Sequence, residues 1–367
     1  MDHLKIFLLV TPFIVPLFLS FQLYFSPKQI LSRKIISLAL LNTSLIYFCN
    51  YFYFCNEYTL YAPLHSVHAA LELSIFPLIH LYIKSLIGTN KNIKREWLHF
   101  LPAVVVLIIG SYLFYIYIGK GDLLQFLEKN KSHSSFSAAK FQVLNIARYI
   151  DLSILILQGI FYGISFFRLP RHYDELLKNE FSNIDFFSIG WINKYNLMFA
   201  IVTFIGIILY FFIPIHDYRQ ILVIVIFLLL SMFVCTMGFV GLSQKKPNIS
   251  MAELELKPIE CKEENSLLDE KLIKQLKHYL EKEKAFLRND LTLTCISRDL
   301  GTNRTYLSAL INKKYGSNFN SYINQLRVEY IKEFMKANPK TTNEQLSQIG
   351  GFGSVSTMQR ALRKEVI

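Results

Sequence analysis

"LGTNRTYLSALINKKYG", Leu300 to Gly316, is the stretch on which the reading of this sequence turns. Wound as a helix from Arg304 to about Tyr315, it puts Leu307, Leu310 and Ile311 on one face and Arg304, Thr305, Ser308 and Asn312 on the other. Asn303 is placed to cap the start and Gly316 to close the end. Just upstream, "TLTCISRDLG" predicts a shorter helix with Thr292 as cap and Ile296 and Leu300 inward. Gly301 then supplies the positive φ of a turn. Two short helices across a tight turn form a helix-turn-helix, whose second helix fits the major groove of DNA. Arginine and asparagine can make paired hydrogen bonds to guanine and adenine edges. Lys313 and Lys314 add charge suited to phosphate.

The plan repeats. "NEQLSQIGGFGSVSTMQRALRK" turns Leu346 and Ile349 inward, makes a turn at Gly350-Gly351, and caps a further helix with Ser354. In that helix Met358 and Leu362 point inward, while Val355, Ser356, Gln359 and Arg360 point outward, followed by Arg363 and Lys364. The two units span about 293–315 and about 343–364, with a connecting helix at about 319–336 that Pro339 ends. At ~1.5 Å per residue the connecting helix measures roughly 27 Å, near the ~34 Å between successive major grooves on one face of DNA. After Ala285 basic residues are twice as numerous as acidic ones, which suits a polyanion. Before the first unit, "DEKLIKQLKHYLEKEKAFL" sets Leu272, Leu276, Tyr279 and Leu280 at helical spacing. That helix packs on its own domain or pairs with a second copy of the chain.

The rest of the chain has a different character. The whole is 52% hydrophobic with 31 Phe and 21 Tyr, and the apolar residues crowd into the part before Leu242. Seven runs there are long enough to cross a bilayer as helices: near Leu4–Tyr24, Ile35–Cys55, Leu64–Ile87, Trp97–Ile118, Phe141–Phe167, Leu197–Ile213 and Ile221–Gly241. "ILVIVIFLLL" lacks the alternation of a barrel strand, and an open sheet would leave backbone groups unpaired in lipid. Lys28, Arg33 and Lys34 in the first loop, Lys84, Lys91, Lys94 and Arg95 around the third, and Arg168, Arg171, Lys178 and Lys194 around the fifth mark the cytoplasmic side. The N-terminus is then outside and the C-terminal part in the cytoplasm. The chain divides into a seven-span membrane domain at 1–243, a polar linker at 244–268 and a cytoplasmic domain at 269–367. Cys49, Cys55, Cys235, Cys261 and Cys295 have no spacing of a disulfide framework or a zinc site.

"LTLTCISRDLGTNRTYLSALINKKYGSNFNSYINQLRVEYIKEFM" followed by "GGFGSVSTMQRALRK" resembles the DNA-binding domain of AraC-type (AraC/XylS) regulators. "FPLIHLYIKSLIG", "EWLHFLPAV", "NEFSNIDFFSIGWI" and "GFVGLSQKKP" are similar to the sensor half of membrane-bound bacterial members. The resemblance implies an all-α protein, with a seven-helix transmembrane bundle followed by an AraC-type domain with two helix-turn-helix units. It implies a one-component transcription regulator of the bacterial inner membrane that senses a small ligand or membrane partner and binds double-stranded DNA, alone or as a homodimer. DNA contacts fall to Arg304, Thr305, Ser308, Asn312, Lys313, Lys314, Val355, Ser356, Arg360, Arg363 and Lys364. The sequence departs from the family at Gly350, where valine is usual, and at Met358 and Leu362, where aromatics are usual. It also ends at Ile367, without the family's closing segment. The second unit is therefore expected to read bases less than the first. The alternative is a membrane signalling protein whose helix-turn-helix domain binds a protein partner.

No phosphate loop, kinase motif or hydrolase motif appears in the cytoplasmic part, so no enzyme activity is expected, and no cofactor or metal. Polar residues inside a membrane are costly and mark sites. His65, His68 and Glu72 share one face of the third run, and Arg148 and Asp151 lie in the outer half of the fifth. These five could line one signal pocket, or the arginine could pair with an acid and the histidines sit at the interface. The inner loop "RLPRHYDELLKNEFSNIDFFSIGWINK" mixes charge with aromatics and could lie on the membrane, in solvent, or against the DNA-binding part.

Overall fold

A computed structural model describes residues 3–26, 31–88, 93–129, 139–185, 187–198, 200–201, 216–243 and 266–364. The described residues are helical throughout and form no strand; one isolated antiparallel bridge pairs Phe181 with Thr292. The chain separates into two compact units, one of 1–169 with 191–243 and one of 170–190 with 244–367. Residues 170–190, which hydropathy leaves as a loop of the apolar half, belong to the second unit.

The first unit comprises α1 (His3–Tyr24), α2 (Leu31–Phe54), α3 (His65–Ile87), α4 (Leu101–Ser111, extended by a wider π-helical stretch Tyr112–Ile118), α5 (Lys120–Lys129), the part of α6 (Ala139–Glu180) up to residue 169, and α7 (His216–Ser243). Among the described residues, five segments are long and apolar enough to cross a membrane: Ile6–Tyr24, Leu31–Phe54, Tyr58–Ile87, Trp97–Ile118 and Gln142–Glu180. The expected sixth run falls mostly on residues 202–215, and the expected linker on 244–265; both lie outside the described residues.

Buried hydroxyls and an amide hold the first helices together. Ser20 and Ser37 each donate to the other's carbonyl, at 2.8 and 2.9 Å, which joins α1 to α2 at small side chains that allow close approach. Asn42 donates to the Leu71 carbonyl at 3.0 Å, tying α2 to α3, and Tyr82 on α3 reaches the Met237 carbonyl on α7 at 3.1 Å. Facing away from these contacts are Phe18, Ile108, Ile116 and Phe161, all exposed, a surface suited to lipid rather than water. Between the fourth and fifth apolar runs lies α5, whose Leu123, Phe126 and Leu127 pack with Tyr58, Tyr61, Ile118 and Leu144. The fifth run also exceeds expectation: α6 continues past Pro170 to Glu180.

In the second unit α8 (Ser266–Lys282) is followed by a short helix, a turn and a longer helix, twice. The first set is α9 (Leu293–Asp299) and α10 (Arg304–Tyr315); α11 (Phe319–Ala337) leads to the second, α12 (Asn343–Ile349) and α13 (Val355–Lys364). The starts are set by side-chain caps: Thr292 accepts from the Cys295 amide at 3.1 Å, Asn303 from Thr305 at 2.8 Å, and Ser354 from Thr357 at 3.2 Å. Each such cap is worth about 1 kcal/mol. Gly301 lies at φ 64°, as the first turn requires.

Leu272, Leu276 and Leu280 of α8 are buried with Leu307, Leu310, Ile311, Phe319 and Ile323, so α8 packs on its own domain. The far half of α11 supplies Val328 and Ile331 to a second, smaller core with Leu346, Phe352 and Met358. Two expectations need correction there. Ile349 is 36% exposed rather than inward, and Val355 is half-buried against the core rather than outward. The core volume near the turn is taken by Ile331: a Cβ on Gly350 would stand 2.3 Å from its Cδ1. The missing side chain at Gly350 is thus compensated from α11, and the turn leaves Ile349 at the surface.

Candidate nucleic-acid interface

Arg304, Ser308 and Asn312 follow one another at successive turns of α10, opposite the buried Leu307, Leu310 and Ile311. Thr305 and Ser308 are half-buried, while Asn312, Lys313 and Lys314 are exposed. Lys313 Nζ lies 3.7 Å from Asp269, whose other oxygen accepts from Tyr306. On α13, Ser356, Arg360, Arg363 and Lys364 are exposed, and Val355 is partly withdrawn into the core.

Residues 170–190 meet these same helices. Glu180, at the end of α6, is 0% exposed. One of its oxygens accepts from the Thr294 amide and the other from Arg304 Nη1, both at 3.1 Å. The Arg304 side chain is only 19% exposed as a result. Asp185 accepts from Ser354 Oγ at 2.7 Å and from Thr357 Oγ1 at 2.7 and 2.8 Å, and lies 4.0 Å from Arg360. One carboxylate therefore engages each of the two exposed helices.

Further contacts seat the segment between them. The Ser182 amide donates to the Leu291 carbonyl at 3.1 Å, and Asn320 Nδ2 donates to the carbonyls of Phe181 and Ser182 at 3.1 and 2.9 Å. Asn183 donates to Asn289 at 2.6 Å and lies so close to Gly353 that a Cβ there would stand 2.1 Å from its Nδ2. Arg327 is 0% exposed and reaches the carbonyls of Phe286, Arg288 and Ser182 at 2.6, 2.9 and 3.2 Å, and the Ser182 hydroxyl at 3.1 Å. Burial lowers its guanidinium to about 10, still charged at neutral pH. Within the segment, Asp174 accepts from Ser188 Oγ at 2.9 Å and from the Ile189 amide at 3.2 Å, closing the loop on itself.

Glu180, Ser182, Asp185, Asn320 and Arg327 carry this arrangement, and none of them was singled out by sequence reasoning. The sequence signal was the inner loop's mix of charge with aromatics, one reading of which set it against the DNA-binding part.

Of the five candidate pocket residues in the first unit, His65, His68 and Glu72 lie on α3. His68 Nδ1 lies 3.0 Å from the Tyr61 hydroxyl, and its Nε2 lies 3.5 Å from Glu72. His65 packs edge-on against Phe114, ring centroids 4.4 Å apart. Arg148 is exposed and lies over the Tyr149 ring at 5.6 Å. Asp151 is half-buried on the next turn of α6. Cys49, Cys55, Cys235 and Cys295 form no disulfide with one another among the described residues.

No protein family, curated protein or solved structure compared with the chain matches it.

Proposed function

We propose that the chain is a membrane-embedded one-component transcription regulator of the AraC type. In this reading the apolar unit lies in a bacterial inner membrane with its N-terminus outside, and the second unit is cytoplasmic and binds specific DNA through two helix-turn-helix units. The observation that carries the reading is the twice-repeated arrangement of short helix, turn and longer helix. Each longer helix buries an apolar stripe and offers a basic, hydrogen-bonding stripe, Arg304, Ser308, Asn312, Lys313 and Lys314 in one and Ser356, Arg360, Arg363 and Lys364 in the other. α11, at 19 residues and so roughly 28 Å long, connects the two units.

Residues 170–190 supply the control. Glu180 holds the arginine assigned to base reading, and Asp185 holds the start of the second reading helix. DNA and the segment compete for the same side chains. A signal that favours release of the segment favours DNA binding, by as much as it distinguishes the two states.

The purified full-length protein in lipid, titrated with DNA at several salt concentrations, tests the reading. Phosphate-dominated binding weakens with a log–log slope of about −0.9 per phosphate contacted. Saturable binding with a steep slope is expected. DNA binding that is absent at low salt would transfer the domain to a protein partner.

A further inference from the structure

A second cluster, in the first unit, is separate from everything used above. His80 is buried on α3; Glu96 ends the short helical turn Ile93–Glu96; His99 follows in the turn Trp97–Phe100. One ligating atom from each lies within 4.8 Å of the other two. The neighbours fix which atoms are free. His80 Nδ1 lies 3.3 Å from Ser165 Oγ, and His99 Nδ1 lies 2.7 Å from the Tyr162 hydroxyl, both hydroxyls coming from adjacent turns of α6. If each Nδ1 carries its proton and donates to the hydroxyl, each imidazole is left with its lone pair on Nε2. Lys84 Nζ donates to Glu96 Oε1 at 2.7 Å, and the other oxygen, Oε2, is buried with no hydrogen-bond partner among the described residues. That oxygen lies 3.6 Å from His99 Nε2.

We propose that His80, Glu96 and His99 bind a divalent transition-metal ion of the Zn²⁺ class, with the fourth position open to water or an anion. Three features of the geometry support it. The donor set, two imidazoles and one carboxylate, is that of zinc sites which keep an open position. Ligating histidines ordinarily engage their second ring nitrogen with a polar partner that fixes tautomer and ring orientation, as Ser165 and Tyr162 do here. Donors around a tetrahedral ion with bonds of about 2.0–2.2 Å stand about 3.4 Å apart, close to the 3.6 Å already present between His99 and Glu96. Without an ion, Glu96 Oε2 is a buried acceptor left unmade, which a protein interior rarely tolerates. Lys84 restrains the carboxylate and, as a nearby cation, sets the affinity below that of a site with no competing charge. The proposal is independent of whether the second unit binds DNA.

The test uses the full-length protein without an affinity tag, purified in detergent, stripped with a chelator and dialysed against Zn²⁺ or Co²⁺. One tightly held Zn²⁺ per chain is expected, and Co²⁺ should give the intense visible absorption of a four-coordinate site. His80→Gln and His99→Gln should each weaken binding by at least 100-fold, and Tyr162→Phe by about 10–100-fold through the lost outer hydrogen bond. Lys84→Met removes the competing cation and should tighten binding. Gel-filtration profile and helical circular dichroism identify variants that remain folded; Tyr162→Phe and Lys84→Met, which keep all three ligands, provide the measurement if a histidine variant does not fold. Absence of stoichiometric Zn²⁺ in the wild-type protein would overturn the proposal. So would folded histidine variants, or Tyr162→Phe and Lys84→Met together, that bind as wild type does.

Discussion

Replacing Glu180 by Gln and Asp185 by Asn keeps the shape of the 170–190 segment and removes its two charges. Glu180 makes two charge-assisted hydrogen bonds, to the Thr294 amide and to Arg304, in a fully buried position. Glu180→Gln leaves one acceptor oxygen and turns an NH2 toward the other donor, so a charge-assisted bond is lost, which costs the closed arrangement about 1.5–3 kcal/mol. Asp185 accepts from two hydroxyls, and Asp185→Asn costs about 1 kcal/mol more. The two carboxylates hold different helices, so the losses add to about 2.5–4 kcal/mol. At 1.4 kcal/mol per factor of ten, that moves the balance between held and released segment roughly 60–700-fold. The assay is fluorescence anisotropy with the full chain in lipid nanodiscs, against a DNA site selected by the chain itself, at fixed salt. The double variant is expected to bind up to that factor more tightly, with the gain capped by how far the wild type is already released. A purely structural segment gives the opposite sign, because loosening it would destabilise the domain and weaken DNA binding. An unchanged or raised Kd, with the unfolding midpoint maintained, refutes the reasoning.

Three further outcomes are expected. Arg304→Ala should cost about 1–3 kcal/mol on the preferred DNA site and little on random DNA, whereas Lys313→Ala should weaken both alike; competition binding separates the two, and equal effects would displace α10 from base reading. Arg327→Met should lower the stability of the second unit by about 3–5 kcal/mol, because the carbonyls of Phe286, Arg288 and Ser182 lose a buried charged donor; urea unfolding measures it, and a loss under 1 kcal/mol would mean water replaces the guanidinium. A periplasm-active reporter fused after Tyr58 should be active and one fused after Lys246 inactive; activity at Lys246 would put the second unit outside and end the transcription reading.

How much of this was legible in the sequence depended on the range of the interaction. Caps and turns are local, and Thr292, Asn303, Ser354 and Gly301 do what their residue types and spacing foretold. Helix faces are also local, so the buried set Leu307, Leu310 and Ile311 followed from the 3.6-residue period. Ile349 and Val355 departed from the period because the second core is closed by another helix: Ile331 of α11 packs against Gly350, and Val355 joins the core with Met358. α6 outran its apolar run because helix length depends on backbone geometry, which Pro170 did not end, while hydropathy reports only the lipid-compatible part. Glu180 and Asp185 were illegible for a simpler reason. Their partners lie more than 100 residues away, and one acidic residue in a polar loop looks like any other until the fold brings Arg304 or Ser354 to it. His80 and His99 were illegible for the same kind of reason, since their hydroxyl partners on α6 lie 85 and 63 residues away.

The central claim is that a chain with membrane-crossing helices reads DNA sequence, and genome-wide mapping of DNA crosslinked to the intact protein in its own cell membrane tests it most directly. A limited set of enriched sites sharing one sequence motif is expected, lost in Arg304→Ala cells that hold normal amounts of the protein. No enrichment, or enrichment that Arg304→Ala leaves unchanged, would contradict it.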